Sequence, residues 1–199
     1  MTLKSSPIDH LSRRGALAAA LTAVLFAAAC SPVTLVQRAV EDRSMEDIAD
    51  DNKIVVAVNK LMAKYETISV STEVYEQHLL VYGIMDDKTM FDGFNAEVAK
   101  IAGVKKLYNR VIHMTEAEQE AQENNMLGFA EGLKVKAKIE IDWLDMPGLE
   151  SLNFRIAVDP MGIAYVLGRA KSPAERDRAL AVAGNAEGVK RVRDYTFIR

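Results

Sequence analysis

One cysteine, one tryptophan and three histidines are all that 199 residues contain of the side chains most used for redox, metal and proton-transfer chemistry. With Cys30 alone, no intramolecular disulfide can form. His10 lies close to the N-terminus, and neither His78 nor His113 has a companion at metal-ligand spacing, so both read as strand histidines at or near the surface. The chain has no G-x-S-x-G elbow, no P-loop and no dinucleotide fingerprint. The acidic pairs Asp50 with Asp51 and Asp86 with Asp87 read as solvated turn or cap charges, because acid and base catalysis needs carboxylates shifted by burial. No apolar run reaches the roughly 20 residues that a membrane-spanning helix needs. These absences argue against an enzyme and leave no site for a metal or cofactor.

The N-terminus carries an export signal. Lys4, Arg13 and Arg14 precede an uncharged stretch from Gly15 to Ala29, which ends in Phe26, Ala27, Ala28 and Ala29 ahead of Cys30. Residues 1–29 are expected to be a cleaved signal peptide. Cys30 is then either a small apolar residue behind a cleavage site or an acylated N-terminus. The stretch resembles the lipobox of bacterial lipoproteins, although Ala27 stands where such motifs usually carry leucine. Ser31 at the next position is similar to lipoproteins forwarded to the outer membrane. Ser12, Arg13 and Arg14 also suggest twin-arginine export, while Gly15 and Ala16 fit that pattern poorly.

Without residues 1–29 the chain keeps 22 Lys plus Arg against 27 Asp plus Glu. From Gly168 to Arg199 there are eight basic residues and four acidic ones, so a basic C-terminal end follows an acidic body. That distribution argues against broad nucleic-acid binding and leaves room for a local anionic partner.

An internal repeat organises the rest. "VYGI" at 81–84 and "VLGR" at 166–169 lie 85 residues apart, and so do "AGVKKLYNRVI" at 102–112 and "EGVKRVRDYTF" at 187–197. The first unit opens with Ile54, Val58 and Leu61 at helical spacing. Strand-like runs follow at about 67–74 and 78–84, then a helix at about 90–101 closed by Gly103, then a strand at about 104–113. In the second unit the strands fall near 153–159 and 162–169 around the turn Asp159, Pro160, Met161, Gly162. A helix from Pro173 to about Ala183, capped by Ser172, and a strand over about 189–198 complete it.

"LKVKAKIEIDWL" at 133–144 fits strand alternation and helical spacing alike. The repeated order of helix, strand, strand, helix, strand decides for the helix. Val135, Ile139 and Trp143 then form the stripe that packs on the unit's own sheet, and Leu133, Ala137, Ile141 and Leu144 form a second stripe with no partner inside so small a unit.

The repeated "VYGI" and "VLGR" strands, with "AGVKKLYNRV" and "EGVKRVRDYTFI", resemble a pair of BON domains, the OsmY and nodulation module. Together with the signal and Cys30, the layout is similar to the dual-BON outer-membrane lipoproteins of Gram-negative bacteria. The resemblance implies an α+β fold of two tandem αββαβ units, each a three-stranded sheet with two helices, after the signal peptide. The expected boundaries are 30–44 for a lipidated linker, 45–115 for the first unit, 116–131 for a connection and 132–199 for the second unit. The first unit departs from the pattern in having no glycine in its strand-to-strand turn near Glu76.

BON domains are associated with phospholipid recognition, so the resemblance implies an anionic phospholipid membrane as partner, facing the periplasm, and a role in upkeep of the outer-membrane barrier. The candidate site has Lys134 and Lys138 bordering Leu133, Ala137 and Ile141, with Lys190, Arg191 and Arg193 adding to the field. The same apolar stripe would equally suit an envelope protein partner.

Overall fold

The structure is a computed structural model that describes residues 42–199. The expectations for the signal peptide and Cys30 lie outside the described residues.

Two three-stranded sheets and five α-helices make up the described chain. Helix α1 (Met45–Lys64) begins at Ser44, whose hydroxyl accepts the Asp47 amide at 3.0 Å. Strands β1 (Val70–Tyr75) and β2 (His78–Met85) form a hairpin; α2 (Lys88–Val98) and β3 (Lys106–His113) follow, with β2 and β3 parallel. A short helix α3 (Glu116–Gln122), held by a reciprocal Thr115 and Glu118 cap, leads to α4 (Phe129–Asp145). Strands β4 (Phe154–Val158) and β5 (Ile163–Ala170), helix α5 (Pro173–Asn185) and β6 (Arg191–Ile198) repeat the first arrangement. The sheet orders are β1-β2-β3 and β4-β5-β6, compatible with two tandem αββαβ units.

Residues 133–144 are helical, and the helix starts four residues earlier, at Phe129. The first strand is shorter than its pattern predicts. It begins at Val70 rather than near 67, which leaves Ile68 in a bend and 97% exposed.

The repeat's glycines have one physical reason in both units. Gly83 and Gly168 adopt φ of +134° and +133°, and a Cβ at these positions would stand 2.0 Å from the Ser69 carbonyl oxygen and 2.1 Å from that of Asn153. The backbone of the neighbouring strand occupies the space a side chain would need.

The missing turn glycine of the first unit is replaced by a clamp. Glu76 and Gln77 both take positive φ, +47° and +64°, as a tight two-residue hairpin requires. Asp51 of α1 accepts both turn amides, at 2.9 and 2.7 Å, and the Gln77 side-chain amide at 3.1 Å, while Arg43 pairs with it at 2.6 Å. Asp51 is therefore a buried structural carboxylate, not the solvated charge its sequence position suggests. In the second unit Asp159 serves its own turn, accepting the Ile163 amide at 2.9 Å and the Tyr165 hydroxyl at 2.7 Å.

Strands β2 and β5 are apolar on both faces, and this sets the layering. Leu79 and Val81 face the α1–α2 layer, and Ala164 and Val166 face the α4–α5 layer. The alternate residues Leu80, Tyr165 and Leu167, with Ala157, form a third core between the sheets, flanked by Tyr82, Tyr108 and Tyr195. Tyr108 and Tyr195 stack there with centroids 3.9 Å apart and planes 8° apart, a geometry that contributes about 0.5–1.5 kcal/mol beyond burial. The result is four layers: helices, sheet, sheet, helices.

Candidate functional site

Helix α4 divides its apolar residues between two sides. Its first turn is fastened by Glu131, which accepts the Gly128 amide at 2.9 Å. Ile139 and Trp143 are fully buried, with the indole N–H donating to the Ala179 carbonyl at 3.0 Å and Val135 packed beside them. On the outer side Leu133, Ile141 and Leu144 are 51%, 55% and 63% exposed. Ala137 lies between them and is exposed as well. Phe129, 82% exposed, belongs to the same helix and was missed because the sequence pattern starts the helix at Leu133.

Lys134 and Lys138 project one turn apart along one flank of this ridge, and both are exposed. Lys138 is ion-paired with Asp142, one turn further on. The opposite flank carries Lys136, which reaches Glu73 of β1 at 2.5 Å, and Glu140, whose carboxyl is raised above its usual range by partial burial against the opposing pull of Lys136.

The other basic residues of the candidate set do not gather on the ridge. Lys190 donates to the Asn125 carbonyl at 2.6 Å, just ahead of α4. Arg191 and Arg193 pair in register with Ile163 and Tyr165, so they share the sheet face opposite the helices, on the strand at the far edge from β4. The alternation within β6 was visible in the sequence; the face it assigned to the arginines depended on the β5 register.

His78 and His113 each approach a backbone carbonyl. The His78 ring stacks on Phe197 at 4.9 Å with its Nδ1 3.2 Å from the Glu76 carbonyl, and His113 Nε2 lies 3.0 Å from the Asp86 carbonyl. Asp87 caps α2, accepting the Met90 amide at 2.8 Å. Among the described residues no group of three or more histidine, cysteine or acidic side chains could hold a metal ion. No described helix is long and apolar enough to cross a membrane.

A hollow of about 330 Å³ opens at the N-terminal end of α4, between that helix, the β4–β5 turn and the first sheet. Ile68, Phe129 and Leu133 stand at it, with Tyr82, Gly83 and Val158 also lining it.

The fold of each unit and the repeated glycine-marked strand define a small helix-backed, three-stranded α+β module. Residues 133–196, from within α4 to β6, match the family model of the BON domain. Among solved structures, the chain is similar to CdsD, a structural protein of the type III secretion system of Chlamydia trachomatis, at 11% identity over 73% of this chain and 92% of that one, with a TM-score of 0.30. The C-terminal domain of CdsD is similar at 14% identity over 73% of this chain and 64% of that one, with a TM-score of 0.28. No curated protein matches the chain.

Proposed function

We propose that this chain is a cell-envelope lipoprotein of two BON-like units, anchored through Cys30 in the outer membrane and facing the periplasm. The second unit lays the outer ridge of α4 on anionic phospholipid and so supports the integrity of the envelope. The observation that carries this reading is the division of α4, with Ile139 and Trp143 buried while Leu133, Ala137, Ile141 and Leu144 face solvent. An apolar ridge beside ammonium groups suits the boundary where acyl chains meet head groups. Each basic group near an anionic surface contributes about 1 kcal/mol. Releasing Lys138 from Asp142 costs little, because exposed ion pairs contribute about 0–1 kcal/mol.

The test is sedimentation of the purified chain with anionic and with neutral liposomes. K134E/K138E is expected to weaken recovery with anionic vesicles while the circular dichroism spectrum stays unchanged. Unchanged recovery removes α4 from the lipid site.

A second reading, an envelope protein-interaction module, draws on the same ridge. It is favoured by Asp142 and Asp145, which share the lysine flank by helical spacing and hold its net charge near zero. Binding that is equally weak on both vesicle types selects this reading.

A further inference from the structure

The hollow at the N-terminal end of α4 does not stop at its own rim. Ile68 and Ser69 line it and also line a second hollow of about 500 Å³, formed by the end of α1, the end of β2, and the starts of α2 and α3. The two differ in chemistry. The first is apolar, with Ile68 and Phe129 almost fully in solvent at 97% and 82% exposure. The second presents the carboxylates of Glu66, Asp86, Asp87 and Glu116, and none of its lining residues is basic. Among the described residues none of these four forms an ion pair, and Asp86 and Asp87 accept only backbone amides, those of Asp87 and Met90.

We infer that the joined hollows form a docking groove for an extended peptide segment in which apolar and basic residues alternate. An apolar side chain enters beside Ile68, Phe129 and Leu133, and a lysine or arginine reaches the carboxylates beyond Ser69. Charge complementarity selects this occupant. Four clustered carboxylates repel an anionic head group, which distinguishes this groove from the lipid ridge of α4, and the exposed apolar rim gains nothing from a wholly polar cation. Ile68 joins the two hollows, since among the described residues it alone of the large apolar side chains lines both. Its exposure is costly in water and is relieved when a partner side chain covers it.

The test uses the full chain and two fluorescein-labelled hexapeptides, one of alternating leucine and arginine and the other with glutamate replacing arginine. Fluorescence anisotropy is expected to show a preference of at least about tenfold for the arginine peptide, decreasing as salt is raised. I68E and, separately, D86N/D87N/E116Q are expected to abolish the preference with unchanged circular dichroism; asparagine at 87 keeps the cap of α2. K134E/K138E is expected to leave peptide affinity unchanged, so the groove is tested independently of the lipid ridge. Equal affinity for the two peptides, or unaltered binding by I68E, overturns the inference.

Discussion

Lys136 Nζ lies 2.5 Å from Glu73 Oε1, joining a helix of the second unit to the edge strand of the first. Both side chains are mostly buried, at 28% and 17% exposure. Burial alone would lower the Lys136 pKa, but the Glu73 carboxylate outweighs it and holds the ammonium above its ordinary value. Stability drawn from the charged lysine is therefore complete below the ordinary lysine value and is lost as pH rises through the folded one. Urea midpoints measured from neutral pH to beyond about pH 10 are expected to fall more steeply for the wild type than for E73Q/K136M. The double-mutant cycle at neutral pH is expected to give a coupling of about 0.5–2 kcal/mol; parallel alkaline slopes in the two proteins would contradict this account.

The two strand glycines offer a sharper test. Gly83→Ala and Gly168→Ala each force a methyl into a strand carbonyl, and each is expected to cost about 3 kcal/mol or more, with loss of the folded dichroism signal in the worse case. Gly132 sits inside α4, where an added Cβ finds only the Val158 carbonyl at 3.9 Å. Gly132→Ala is expected to stabilise the chain by about 0.5–1 kcal/mol, read as a raised melting temperature.

The buried Asp51 makes a prediction that includes its own rescue. Asp51→Ala removes the buried Arg43–Asp51 ion pair and frees two turn amides, and is expected to cost about 3–5 kcal/mol in urea unfolding. Adding E76N and Q77G supplies a turn sequence that favours positive φ without a clamp. That triple variant is expected to recover about 1 kcal/mol or more relative to Asp51→Ala. No recovery would mean that Asp51 matters through Arg43 alone.

Much of this architecture was legible because it is written twice. The equal spacing of "VYGI" to "VLGR" and of the two "GVK" segments located the strands, and it resolved residues 133–144, whose own periodicity was ambiguous. The sandwich was harder to read. Leu80 and Tyr82, like Tyr165 and Leu167, alternate with residues that face the helices, so β2 and β5 are apolar on both faces, but no local pattern says that each sheet covers the other. Asp51 was misread because its partners are the amides of Glu76 and Gln77, 25 and 26 residues away. Ile68 fell within the strand-like run at about 67–74, and the structure begins the pairing at Val70 instead. The α4 ridge was legible residue by residue, while the separation of Arg191 and Arg193 from it depended on the parallel register with β5.

The inner core of Leu80, Ala157, Tyr165 and Leu167 draws side chains from both halves of the sequence, whereas the connector between them carries α3, with no buried residue, on the outside. A protease that nicked this exposed strap would not set two modules free, since each fragment would strip its mate of the cover that these side chains give a greasy sheet. The halves share one fate in unfolding even when the covalent thread between them is cut.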